Sequence, residues 1–147
     1  METKSQIVVK RYPYEEPHHL QLEFFVSNGN FCGNTDIYCN VDDLITIGHA
    51  SREFPSKIDD EYRYEYGSEN PEDRYYRYFL LRAYTIDSVG HSAIQFSISN
   101  NQTEPNEGKC RFSIRADVAS INRLGELFEN FSKLEDLEFS WSPRLVD

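Results

Sequence analysis

Residues that mark specialised protein classes are scarce in this sequence. Its three cysteines, Cys32, Cys39 and Cys110, are odd in number and match no zinc or redox spacing. No apolar run approaches the ~20 residues needed to cross a membrane, and the opening "METKSQIVVK" lacks the apolar core of a signal peptide. Phosphate-binding loops and nucleophile-elbow motifs are also missing. We therefore expect a soluble cytoplasmic protein with reduced cysteines and no metal or cofactor.

Positive charge is also in short supply. The 147 residues include 15 basic and 25 acidic side chains, which gives a formal net charge of −10. Such a surface repels phosphate backbones and anionic lipids, so we expect neither a nucleic-acid nor a membrane partner. A basic protein partner fits this charge better. The alternative is that the acidic surface serves only to keep the protein soluble.

The composition and patterning predict one folded domain over residues 1–147, with a loose tail at 142–147. Apolar residues make up 39% of the chain and aromatic residues 14%, and they recur at every second position, as in half-buried strands. This alternation predicts seven strands and a short eighth one, at about 5–12, 18–27, 31–39, 60–66, 74–86, 93–99, 109–115 and 137–141.

Two segments instead show the helical period. The first runs from about 41 to 53, begins after the capping residue Asn40 and stops before Pro55. The second starts after Asp117, and Gly48 and Gly125 suggest that each helix lies very close to a neighbour. Short turns between strands favour antiparallel pairing. The predicted fold is α+β: a single twisted, mainly antiparallel sheet of about six to eight strands, with both helices packed on one face.

The stretch "DDEYRYEYGSENPEDRYYRYFLLR" (59–82) combines acidic residues with tyrosines. Its alternation places three tyrosines on one face of a strand, and the acidic residues before position 74 make it the most negative part of the chain. Aromatic anchors surrounded by charge are typical of interface hot spots. We therefore predict a partner-binding surface here, formed by Asp59, Asp60, Glu61, Glu65, Glu69, Glu72 and Asp73, with Tyr62, Tyr64 and Tyr66 as anchors where they are exposed.

One turn could carry chemistry. The segment "DSVGH" places Asp87 beside His91, and a carboxylate that orients an imidazole is the start of a general base or a metal site. The alternative is that Asp87 accepts hydrogen bonds from the amides of its own turn. Together with Arg82, this turn is the predicted location if the protein binds an anion or a small ligand, or is an enzyme. A third hypothesis is a homo-oligomeric structural protein, and the chain itself is expected to be a monomer or a homodimer.

The order of these segments resembles a known group. The early "YPYEEP", the helix with "DDLITIGHA", the strand "YYRYFLLRAY" and the late "FSIRADVASINRLGELF" are similar to small bacterial WapI-like immunity proteins of contact-dependent toxins. That resemblance implies a cytoplasmic, non-catalytic protein that binds and blocks a toxin, which in such systems is often a basic nuclease. An acidic immunity protein is therefore the leading functional hypothesis.

Overall fold

A computed structural model describes residues 4–144, which form eight strands and two α-helices. The last three residues of the predicted tail, 145–147, lie outside the described residues. The elements are β1 (Ser5–Tyr12), β2 (Leu20–Asn28), β3 (Cys32–Cys39), α1 (Val41–Glu53), β4 (Glu61–Gly67), β5 (Tyr78–Thr85), β6 (Ser92–Ser99), β7 (Lys109–Ala116), α2 (Val118–Phe131) and β8 (Glu138–Trp141).

The α+β class is confirmed, but the strands form two sheets rather than one. The first sheet has the order β3-β2-β1-β8 and the second has the order β4-β5-β6-β7, and all pairs are antiparallel. The division falls at α1, and β8 returns to the first sheet by pairing Trp141 with Ile7. Alternation of apolar residues predicts which face of a strand is buried, but it does not specify the neighbouring strand.

The core lies between the inner faces of the two sheets. Phe24 of the first sheet contacts Phe79 of the second, with ring centroids 4.5 Å apart. The ring centroid of Phe79 lies 6.0 Å from that of Phe96 on the neighbouring strand. Phe128 of α2 packs on the first sheet, 6.3 Å from Phe24. Both outer faces are therefore left to carry polar side chains.

The two helices touch at a pair of glycines. A Cβ atom on Gly48 would lie 2.9 Å from the carbonyl oxygen of Gly125, and one on Gly125 would lie 2.5 Å from the oxygen of Gly48. Neither distance leaves room for a methyl group against a backbone. The predicted close approach is confirmed, and the neighbouring backbones at Glu129 and Arg52 crowd the same two positions. The predicted cap is present as well, since the Asn40 side chain accepts a hydrogen bond from Asp43 N at 2.9 Å.

A buried arginine holds the connection between β1 and β2. Arg11 faces inward from β1 and donates from Nε and Nη2 to the Asp136 carbonyl oxygen at 3.1 and 2.8 Å. It also forms an ion pair with Glu16. Both partners satisfy the buried guanidinium, and they fix the segment 13–19 to the end of the first sheet. Between residues 4 and 144, no helix is long and apolar enough to cross a membrane.

Candidate functional site

The predicted partner-binding surface around β4 has its tyrosines on the inner face of the strand. Tyr62, Tyr64 and Tyr66 are half-buried and pack against the core from the inner face of β4. Burial raises the pKa of Tyr62 to about 12. Their rings are therefore partly used by the core, and their role as anchors for a partner stays a prediction.

The carboxylates of this region are spread out and partly neutralised. Arg63 lies 3.4 Å from Glu61 and 3.3 Å from Glu65. Asp60 accepts hydrogen bonds from Ser56 N at 2.7 Å and from Ser56 Oγ at 3.1 Å, and the first of these contacts is the main reason that its pKa is lowered. The remaining acidic residues are exposed on either side of the strand: Asp59 lies before β4, Glu69 lies in the loop after it, and Glu72 and Asp73 lie in the short 3-10 helix Pro71–Asp73.

The turn with Asp87 and His91 is an exposed structural turn. The His91 Nδ1 atom lies 2.5 Å from Asp87 Oδ2, and this contact is the main reason that the pKa of Asp87 is lowered. Asp87 Oδ1 accepts from the amides of Val89 and His91 at 3.0 and 3.2 Å. Arg82 points elsewhere, because its Nε donates to Gln95 Oε1 at 3.0 Å. The alternative reading of a self-bonded turn is confirmed, and no catalytic constellation forms there.

No cluster of histidine, cysteine, aspartate and glutamate within residues 4–144 could hold a metal ion. The cysteines are free; Cys39 and Cys110 lie in strands and are half-buried, whereas Cys32 is exposed. Burial raises the pKa of Cys39 to about 12, so this thiol stays protonated and unreactive at neutral pH.

The outer face of the second sheet carries a feature that the sequence analysis did not single out. Residues with outward side chains on its four strands include five basic ones and only two acidic ones, although the whole chain is acidic. The basic residues are Arg63, Arg82, Lys109, Arg111 and Arg115, and the acidic residues are Glu61 and Glu65.

The basic residues of this face fall into two groups. Next to β4, Arg82 lies 3.4 Å from Glu61, and its guanidinium stacks over the Tyr84 ring at 4.0 Å. On β7 the other group is exposed, and within residues 4–144 none of its members forms an ion pair with a carboxylate. This second group, Lys109, Arg111 and Arg115, is called the β7 cationic row.

An exposed aromatic ring lies in the turn that borders the β7 cationic row. The Asn28 side chain donates to the Ser113 carbonyl oxygen at 3.1 Å, which places the turn between β2 and β3 against the middle of β7. Phe31 in this turn is 65% exposed. An unburied aromatic side chain thus lies in a turn that is hydrogen-bonded to the strand that carries the cations.

The outer face of the first sheet has a different character. Its strands present Glu23, Asp36 and Glu138, with Lys10 paired across from Glu23 and Glu138. A shallow groove of about 370 Å³ includes Phe25, and a second groove of about 470 Å³ includes Arg77. Acidic, amide and tyrosine side chains dominate this surface, so cations are favoured over anions here.

Comparison with known proteins gives matches in fold only. Neither a protein family nor a curated protein matches the sequence. The structure is similar to the plant transcriptional regulator PBF-2, with a TM-score of 0.48, 10% sequence identity, and coverage of 90% of this chain and 78% of that chain. It is also similar to WHY1 from Arabidopsis thaliana, with a TM-score of 0.49, 10% identity, and coverage of 90% and 86%.

These comparisons correct the leading functional hypothesis. A bacterial immunity protein with a basic toxin as partner was expected, but the similar structures are plant proteins, one of them described as a transcriptional regulator. The expected exclusion of nucleic acid is wrong as well. That expectation assumed that the net charge of −10 describes the whole surface, whereas the outer face of the second sheet is locally basic. Likeness at this level concerns the fold, so function must be argued from the surface of this chain.

Proposed function

We propose that this protein is a non-catalytic binder of single-stranded nucleic acid, which it holds on the outer face of the second sheet. The observation that carries the proposal is the β7 cationic row, three exposed cations that form no ion pair with any carboxylate of residues 4–144, on an otherwise acidic chain. We place this activity in the cytoplasm, as the sequence predicts.

The spacing of the row suits an extended phosphate backbone. Lys109, Arg111 and Arg115 share one face of a strand, and strands rise about 3.4 Å per residue, so the row spans roughly 20 Å. Arginine and lysine along a groove track the backbone of single strands, while aromatic side chains stack on the bases. Phe31 at the edge of the row is the exposed ring available for such stacking.

A single strand fits this surface better than a duplex. The major groove admits a helix or a two-stranded ribbon, and neither protrudes from a four-stranded sheet face. Flat sheet faces that carry cations instead suit unpaired nucleotides. The cross-strand neighbours of Arg111 and Lys109 on β6 are the small residues Ser97 and Ser99, so no bulky side chain stands beside this part of the row.

The experiment is a fluorescence anisotropy titration of a labelled oligothymidylate of roughly 15 nucleotides at low salt. We expect saturable binding by the native chain. Reversal of two cations of the row, Arg111→Glu with Arg115→Glu, should weaken binding by about 100-fold or more, because each lost phosphate contact is replaced by a repulsion.

The matched control is Lys57→Glu with Lys133→Glu, which changes the net charge equally at two exposed positions outside the face. The control should bind within about threefold of the native chain, since only long-range charge has changed. Equal losses in both variants would show that the face has no special role. Absence of binding by the folded native chain at low salt would overturn the proposal.

A further inference from the structure

Three tyrosines frame a slot on the outer face of the first sheet. Tyr12 of β1, Gln21 of β2 and Tyr38 of β3 are direct cross-strand neighbours in one row. Neighbouring strands lie about 4.7–4.9 Å apart, so the two tyrosines stand roughly 9–10 Å apart with Gln21 between them. The third ring, Tyr14, lies parallel to Tyr12, at an interplanar angle of 6° and a centroid distance of 6.5 Å.

The space between these rings is a small open cavity. It measures about 180 Å³, and Leu20, which is fully buried, also contributes to its lining. Tyr12, Tyr14 and Tyr38 all line this cavity, together with Gln21. A cation attracts an aromatic face when it lies within about 6 Å of the ring centroid, so a compact cation held in this cavity has aromatic rings beside it.

Charge around the slot selects the sign of its ligand. Glu15 lines it, and the Tyr12 hydroxyl donates to Glu23 Oε1 at 3.1 Å, which places a second carboxylate at its edge. His19 is the titratable base in the lining. Arg77 lies outside the slot, 3.9 Å from Asp36. Carboxylates and aromatic faces together favour a cation and disfavour phosphate.

The slot is formed before any ligand arrives. The Tyr14 amide donates to the Tyr12 carbonyl oxygen at 2.9 Å, which folds the chain back immediately after β1. Two residues further on, Glu16 is held by the buried Arg11. The backbone on both sides of Tyr14 is therefore held in place, which reduces the conformational entropy lost when a ligand binds.

We propose that this slot binds a methylated ammonium group carried by a small organic molecule. Such a group spreads its charge over several methyls, cannot donate strong hydrogen bonds, and is recognised by aromatic faces with a nearby carboxylate. The site is on a different sheet from the β7 cationic row, and it does not depend on the proposed nucleic-acid binding.

The test is a titration with tetramethylammonium chloride at constant ionic strength, followed by amide chemical shifts. We expect a millimolar dissociation constant, typical of a five-atom ligand, with shifts concentrated at Tyr12, Tyr14 and Tyr38. The neutral isostere tert-butanol should bind at least about tenfold more weakly, because it lacks the charge. Equal binding of tert-butanol would reduce the slot to an apolar groove and overturn the proposal.

Variants locate the site and separate ring from hydroxyl. Tyr38→Ala should weaken binding about fivefold or more, whereas Tyr38→Phe should retain it because the ring face is kept. The control is Tyr75→Ala, which removes an exposed tyrosine that does not line the slot and is distant from it in sequence. An unchanged affinity in Tyr38→Ala would sink the assignment. Choline should also bind more tightly than a trimethyllysine peptide, and the reverse order would assign the slot to protein side chains instead.

Discussion

The two sheets have the same number of strands and the same antiparallel pairing, yet their outer faces differ in charge. The second sheet presents the β7 cationic row, whereas the first presents carboxylates and the tyrosine slot. Their inner faces, by contrast, are alike, since both bury aromatic and aliphatic side chains in one core. The comparison shows that burial constrains one face of each sheet, while the other face is free to carry binding chemistry of either sign.

The largest expected difference between the faces is their response to salt. Three phosphate contacts on a single strand predict a slope of about −2 in log affinity against log salt, or roughly a 20-fold loss between about 50 and 200 mM. One cation in the tyrosine slot should lose less than about threefold over the same range. Parallel titrations of oligothymidylate and tetramethylammonium measure both values. Equal slopes would erase the distinction between the faces.

A second test removes the acidic residues of each face in turn. Glu61→Gln with Glu65→Gln should strengthen oligothymidylate binding about five- to tenfold, because Arg63 and Arg82 lose their carboxylate partners and become available to phosphates. The matched pair on the first face, Glu23→Gln with Glu138→Gln, should leave that affinity nearly unchanged. The anisotropy titration reports both. A similar gain from both pairs would mean that overall charge, and not the face, governs binding.

At high pH, substitution of a tyrosine on each face should affect the free energy of unfolding differently. Burial, together with a hydrogen bond to Glu65, raises the pKa of Tyr78 on the second face to about 12. A raised pKa means that the stabilisation is complete below the unfolded value of about 10 and is lost as pH rises towards 12. Between about pH 9 and 11, the native chain should therefore lose about 1 kcal/mol more unfolding free energy than Tyr78→Phe.

Urea titrations at the two pH values measure this difference. Tyr12→Phe is the counterpart on the first face. The pKa of Tyr12 is also raised, chiefly by its hydrogen bond to Glu23, but the phenol is open to water, so its substitution should change the pH dependence much less. Identical pH profiles for Tyr78→Phe and the native chain would contradict the burial argument.

The smallest effect is expected at the turn that belongs to neither face. Asp87→Asn should change the affinity for both ligands by less than about twofold, as is usual for exposed sites away from a binding surface. The bond with His91 lowers the pKa of Asp87, so its contribution to stability is present above the unfolded value of about 3.9 and is lost as pH falls through the folded value. Urea unfolding at neutral and acidic pH should show the two proteins converge in acid.

Local structure was largely predictable from the sequence. The helix over 41–53 follows from the Asn40 cap and the helical period, and its bounds match α1. Gly48 and Gly125 predicted that each helix lies close to a neighbour, because glycine destabilises a helix interior and tight packing offsets that loss of stability. The predicted strand at 74–86 was too long, since Tyr75 and Tyr76 lie before β5, which begins at Tyr78.

Long-range pairing and the candidate site were beyond the sequence pattern. The contact of Ile7 with Trp141 joins residues from opposite ends of the described chain, and no local signal specifies it. The alternation in "KCRFSIR" was recognised as a strand, and its outward cations were visible. The sequence did not show that these cations belong to a larger basic face. That face depends on the strand register that aligns Ser113 with Gln95 and Arg82, which brings the basic residues of three strands to the same side of the sheet.

The pairing of β8 with β1 also has a consequence for synthesis on the ribosome. The second sheet consists of four consecutive strands and can assemble as soon as residue 116 has left the exit tunnel. The first sheet must wait for residue 141, so β1 and β2 remain without α2 and β8 while the 25 residues from 117 to 141 are still being translated. During that interval Phe24 can already pack on Phe79 of the second sheet, but it lacks the contact with Phe128 of α2 that completes its burial.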